Sequence, residues 1–136
     1  AMVWEESERR LWGLNASGRS PGGLSLEHFR QRGLERVPAT GPLSVSVPGA
    51  VDGWFRLHER FGRLPMGRLL EPAIDYARSG FPVSEVIANV WAANAGLLKD
   101  YPGFAGTFMP GGRPPAKGEE FRNPRLAETY ARISAG

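Results

Sequence analysis

The sequence predicts an α+β chain, mostly helical, and three stretches carry that expectation. Residues 1–14 are apolar from the first residue, turn polar over residues 7–10 and return to an apolar run at 11–14, the pattern of paired strands. Residues 41–54 read as strand, sharp turn and helix start. From Val51 onward, apolar residues recur at helical spacing in one segment after another, each punctuated by Gly, Pro or a capping residue.

Composition narrows the class of molecule. With 136 residues, 41% of them apolar, the chain can build a core, and it fits one domain or a piece of a larger one, taken here as the single segment 1–136. Its 18 glycines and 12 prolines favour short elements joined by tight loops. The most apolar stretch, around residues 86–98, is broken by Asn89, Asn94 and Gly96, so no membrane span is expected. No basic region followed by an apolar run marks a leader at the N-terminus. Without cysteine there is no disulfide, thiolate nucleophile or Cys-held zinc, and the redox compartment is left open. Two histidines, His28 and His58, argue against a His-based metal site or charge-relay triad, and no cofactor is expected. The net charge of +3 comes from arginines scattered among acids. A nucleic-acid footprint would gather them on one face with aromatics between, so no nucleic-acid partner is expected.

The first strand runs from Ala1 to Glu6 and the second from Leu11 to Leu14, with the turn at residues 7–10 and Trp4 and Trp12 available for packing. A lone hairpin is marginal in water, so it is expected to belong to a larger sheet. Residues 15–23 are small, polar and Gly-rich, leave a strand and lead to a helix. That is equally a ligand loop or a plain connection. Ser25 reads as an N-cap, with Glu27 in the first turn, Leu24 and Phe29 as a hydrophobic staple and Gly33 as the stop.

Leu43, Val45 and Val47 alternate with small residues and are read as a half-buried strand that Pro48 and Gly49 end. Val51, Trp54, Phe55, His58 and Phe61 give the stripe of the next helix, closed by Gly62, with His58 as boundary packing. Met66, Leu69, Leu70, Ala73, Ile74 and Ala77 form another stripe. Pro72 interrupts it, so a short turn over residues 66–70 and a helix restarting at Pro72 are expected. Ser84 caps a helix that ends near Lys99. Its apolar girth (Val86, Ile87, Val90, Trp91, Leu97, Leu98) calls for neighbours on two sides. Residues 101–122 are too rich in Gly and Pro for a regular element, and Asn123-Pro124 starts a last helix that ends at Gly136.

Together these residues carry a resemblance. The run Val47-Pro48-Gly49-Ala50-Val51-Asp52-Gly53-Trp54, then Leu57-His58, Arg60-Phe61-Gly62-Arg63-Leu64-Pro65, Glu71-Pro72-Ala73-Ile74, Ala77-Arg78 and Gly80-Phe81-Pro82-Val83, resembles the γ-glutamyltranspeptidase family. Gly118-Glu119 and Pro124-Arg125-Leu126-Ala127 extend the likeness over nearly the whole chain. The resemblance implies an N-terminal nucleophile hydrolase with a four-layer αββα sandwich, made as a proenzyme that cuts itself into large and small subunits. The new N-terminal threonine attacks a γ-glutamyl or related acyl amide, with its own α-amine as base. This chain then corresponds to the middle of the large subunit, with the nucleophile outside it, since Thr40, Thr107 and Thr129 are internal. Its expected partners are the rest of the large subunit, the small subunit and a small acyl amide. The family allows a periplasmic or a cytoplasmic location.

One departure bears on substrate. After the second strand the family pattern reads Leu-Asp-x-Arg-Glu-x-Ala-Pro, and its arginine clamps the donor's α-carboxylate. Here the same length reads Leu14-Asn15-Ala16-Ser17-Gly18-Arg19-Ser20-Pro21. Ser17 stands in the arginine's place and lacks the charged fork that suits a carboxylate. Arg19 follows one turn later. Asn15, Ser17 and Arg19 are thus the expected substrate-binding residues, in a transpeptidase-like or cephalosporin-acylase-like branch. The alternative function is a non-catalytic helical scaffold or binding domain that kept the fold. Taken alone, the chain's strand edge and apolar helix faces predict self-association.

Overall fold

The computed structural model describes residues 1–135, which fold as two compact units, Ala1–Arg63 and the residues from Leu64 onward. Gly136, the expected end of the last helix, lies outside the described residues.

The first unit opens with the expected hairpin, β1 (Met2–Glu5) antiparallel to β2 (Arg10–Gly13), with Val3 opposite Trp12 and Trp4 opposite Leu11. Ala1 and Leu14 exchange two further bonds of 2.8 and 2.9 Å, so the ladder runs one pair past each strand. Alternation decides the faces: Val3 and Trp12 are half-buried, whereas Met2, Trp4 and Leu11 are exposed. Arg10 and Arg60 stack on the Trp12 ring at 4.0 and 3.5 Å. Ser25 caps the short α1 (Leu26–Gln31) by accepting the His28 N–H at 3.2 Å, and Gly33 takes the left-handed conformation (φ +66°) after it.

The expected strand at residues 43–47 is absent. Pro42–Ser44 form a single 3₁₀ turn, and the segment beyond it is extended but isolated. Its one link to another segment among the described backbone bonds runs from the Val47 N–H to the Arg19 carbonyl, 2.9 Å. Alternation marks a strand only where a neighbour completes a ladder, and here the neighbouring loop supplies that single bond. The next helix, α2 (Ala50–Phe61), forms as expected and ends at Gly62. Its inward face is set by Gly53, Leu57 and Phe61, while Val51, Trp54 and Phe55 from the expected stripe are exposed.

The second unit begins with α3 (Met66–Ser79), which is continuous through Pro72 and so corrects the expected break. Pro72 lies on the exposed face, where water can satisfy the carbonyl that loses its helical donor. α3 packs antiparallel to α6 (Pro124–Ala135): Gly67 lies by Ser134, and the Asn123 N–H donates to the Ala77 carbonyl at 2.8 Å. Buried Ala77 and Ala127 allow that closeness. Between these helices come β3 (Phe81–Pro82), α4 (Glu85–Leu98, capped by Ser84), α5 (Phe104–Phe108), a 3₁₀ turn at Pro110–Gly112 and β4 (Glu120–Phe121). Residues 101–122 therefore hold more structure than their composition suggests. β4 pairs antiparallel with β3, Phe81 opposite Phe121, and Phe121 anchors the core with Val83, Ala88 and Trp91. The Trp91 ring meets Phe121 edge-on at 4.8 Å.

Candidate functional site

The loop leaving β2 is held by contacts along its length. The Asn15 side-chain oxygen accepts the Ser17 N–H at 3.0 Å, an Asx turn that folds the chain back at once. Ala16 then lies under the first turn of α2. A β-carbon on Gly53 would stand 2.3 Å from the Ala16 β-carbon, and one on Gly49 would stand 2.6 Å from the Ala16 carbonyl oxygen. Gly18 is closer still, since a β-carbon there would stand 1.5 Å from the Val47 carbonyl oxygen. Only glycine fits where backbone meets backbone this closely. Residues 47–53 thus grip the loop through three glycines and the Val47–Arg19 bond.

Beside the loop lies an open concavity of about 380 Å³, and Asn15, Ser17, Ala50, Gly53 and Trp54 are among its lining. The structure therefore brings Asn15 and Ser17 together on one wall and leaves Arg19 off it, exposed. No Asp, Glu, Lys, Arg or His side chain lines the concavity. Its side-chain polar groups are the Ser17 hydroxyl, the Trp54 indole N–H and the Asn15 amide, whose oxygen is already engaged by the Ser17 N–H. Such a wall can orient a neutral polar or apolar group by hydrogen bonds. It offers neither a charged fork for a carboxylate nor a base to activate the Ser17 hydroxyl.

Sequence reading missed the lining by Ala50, Gly53 and Trp54. The signal was present in the small residues Gly49, Ala50 and Gly53, which recur on one helix face where a partner backbone approaches. His58, read as boundary packing, is half-buried and lies against Gly62 at the far end of α2. The Glu5 carboxyl is held below its usual range by hydrogen bonds from the Ser7 hydroxyl and N–H, with a smaller contribution from Arg63. That group belongs to the hairpin turn and does not line the concavity. Among the described residues no group of three or more His, Cys, Asp or Glu gathers to hold a metal, and no helix is long and apolar enough to cross a membrane.

Comparison with known proteins gives one answer. The chain is 36% identical over 134 residues to the glutathione hydrolase-like YwrD proenzyme of Bacillus subtilis, covering 98% of this chain and 25% of that protein. It is 42% identical over 92 residues to the acylase ACY 1 proenzyme of Pseudomonas sp. strain SE83, covering 67% of this chain and 16% of the acylase. Among solved structures, the cephalosporin acylase from Bacillus halodurans superposes with a TM-score of 0.91 at 38% identity, over 98% of this chain and 26% of that one. The chain thus spans about a quarter or less of the length of these relatives. The family profile described as Gamma-glutamyltranspeptidase matches residues 1–136, and the chain belongs to that family.

Proposed function

We propose that this chain is the middle part of the large subunit of a γ-glutamyltranspeptidase-like amidohydrolase or acyltransferase. Its loop at residues 15–19 borders the acyl-donor pocket. In the intact protein the hairpin and helices take their places in a four-layer αββα sandwich. The nucleophile is the N-terminal threonine of the small subunit, outside this chain. Its hydroxyl attacks the acyl carbonyl, its α-amine takes the proton and returns it to the departing amine as the amide C–N bond breaks, and the acyl group of the acyl-enzyme then passes to water or to an acceptor amine. This chain contributes the wall that orients the acyl group.

The observation that carries the reading is the loop itself. It is gripped by residues 47–53, within the run that carries the family resemblance, and in our reading it takes the place of the carboxylate-clamping segment, with Ser17 where the arginine would stand. Asn15 and Ser17 suit a neutral part of the acyl donor. Arg19, off the wall, is the cation available to a charged end. The favoured donors are therefore acyl amides related to γ-glutamyl compounds but less dependent on a free α-carboxylate.

The test uses the parent protein. Mass spectrometry is expected to show self-cleavage before a threonine, and the mature protein is expected to hydrolyse at least one of a panel of γ-glutamyl, aliphatic acyl and cephalosporin-type amides. Self-cleaved protein that hydrolyses none of them overturns the reading. A coding sequence without a threonine at the family's processing site would favour the scaffold alternative.

A further inference from the structure

On α4 the side chains facing the unit are Ala88, Trp91, Ala95 and Leu98, and they are buried or half-buried. A second apolar stripe, Val86, Val90, Ala93 and Leu97, repeats at spacings of four, three and four residues, which places it nearly opposite the first. Val86, Val90 and Leu97 are 70, 57 and 74% exposed, and Ile87 beside them is also exposed.

Two other long helices carry ion pairs on their outer faces: Arg56 with Asp52 on α2, and Arg78 with Asp75 on α3. α4 carries a single charge, Glu85 in its first turn, and that carboxylate is taken by Lys117 at 2.7 Å. Asn94, flanking the stripe, turns its side-chain amide back to the Val90 carbonyl at 2.7 Å. The outer face of α4 thus carries an uncharged apolar stripe bordered by Asn89 and Asn94.

We infer that this face is an intramolecular seam, covered by an apolar surface of the same proenzyme's polypeptide outside residues 1–136. The inference rests on the reading that the chain is part of a longer proenzyme. The matched acylase structure extends well beyond it, since this chain covers 26% of that one. Size separates this occupant from a second copy of the chain. The stripe is about 16 Å long at the helical rise per residue and about one helix, or ~10 Å, wide. A stable dimer buries on the order of 800 Å² on each partner. So small a face holds when its partner is tethered in the same polypeptide, because the tether removes most of the entropy cost of association.

The test introduces Val90→Cys and Leu97→Cys separately into the parent protein. Thiol labelling at each site is followed at peptide level, in native protein and in urea. Native labelling is expected to be at least about tenfold slower than in the unfolded chain. Because a cysteine variant could fail to fold, hydroxyl-radical footprinting of the unmodified parent gives a second readout, with Ile87 and Leu97 expected to be oxidised as little as buried Val83. Native rates matching the unfolded ones, or oxidation of both residues well above Val83, overturn the inference. Protection that disappears on dilution also overturns it, by assigning the face to a second copy. If the parent's mass shows no polypeptide beyond this chain, the proenzyme reading itself fails; longer polypeptide with free labelling sinks only the seam.

Discussion

Gly18 and Val47 touch backbone to backbone. The Gly18 α-carbon lies where a β-carbon would stand 1.5 Å from the Val47 carbonyl oxygen, and the Val47 N–H donates to the next residue, Arg19, at 2.9 Å. This contact joins the loop after the hairpin to the run that precedes α2.

Gly18→Ala should therefore displace the loop, because the clashing atom is main chain and cannot swing aside as a side chain would. Overpacking typically costs about 1–3 kcal/mol. Urea unfolding should show a loss of that order, and in the parent protein KM for the acyl donor should rise more than kcat falls. Gly22→Ala, with nothing within 4 Å of its added β-carbon, is the control and should leave both unchanged. Equal behaviour of the two variants would remove the loop from the site.

Ser17→Arg puts a charged fork on the concavity wall. In the parent protein, kcat/KM for γ-glutamyl donors should rise, while donors lacking the α-carboxylate gain nothing. A bidentate charged bond contributes about 1.5–3 kcal/mol, roughly ten- to a hundredfold at full strength. No gain in a folded variant would show that residues 15–19 do not face the donor.

The helix caps offer a stability test independent of function. Asn123 caps α6 through its side-chain oxygen on the Leu126 N–H at 3.1 Å, and Ser84 caps α4 through a longer 3.4 Å bond to the Ile87 N–H. Asn123→Ala should cost about 1 kcal/mol and Ser84→Ala about half that, read as shifts in the denaturation midpoint.

Acid should weaken the turn before β4. The Arg113 guanidinium donates to Glu119 at 2.9 and 2.6 Å, the Ala116 N–H adds a bond of 2.8 Å, and together they hold the Glu119 carboxyl at about 2, below its usual 4.5. A carboxyl whose folded pKa is depressed contributes stability that is present above its unfolded pKa. That contribution is lost as pH falls from about 4.5 towards about 2. Both groups are solvent-exposed, so the effect should be modest and should shrink in salt. Glu119→Gln should remove it, giving a shallower fall in stability between those pH values. An unchanged acid slope would show that the pair contributes nothing.

Much of this chain is specified by signals between near neighbours in the sequence. Ser25, Ser84 and Asn123 each sit beside the helix they cap, and Gly33, Gly62 and Gly80 stop theirs, so α1, α2, α4 and α6 are legible from adjacent residues alone. The hairpin is legible too, because two short apolar runs and the polar turn between them lie within 14 residues. The family is legible for the same reason: its most specific run is contiguous.

What required partners distant in sequence was decided by tertiary structure. Leu43, Val45 and Val47 alternate like a strand but find no ladder, whereas proline-bearing Phe81–Pro82 becomes one because Glu120–Phe121 arrives from the far side of α4 and α5. Pro72 stays helical because its face meets water, and α2 turns Gly53 and Leu57 inward because Ala16 needs the space. On the family resemblance, sequence register assigns Ser17 to the arginine's place. Only folding put Asn15 and Ser17 on one wall and Arg19 off it, because backbone contacts at Gly18, Gly49 and Gly53 set how the loop turns, and small residues that permit a close approach do not name the distant partner they meet.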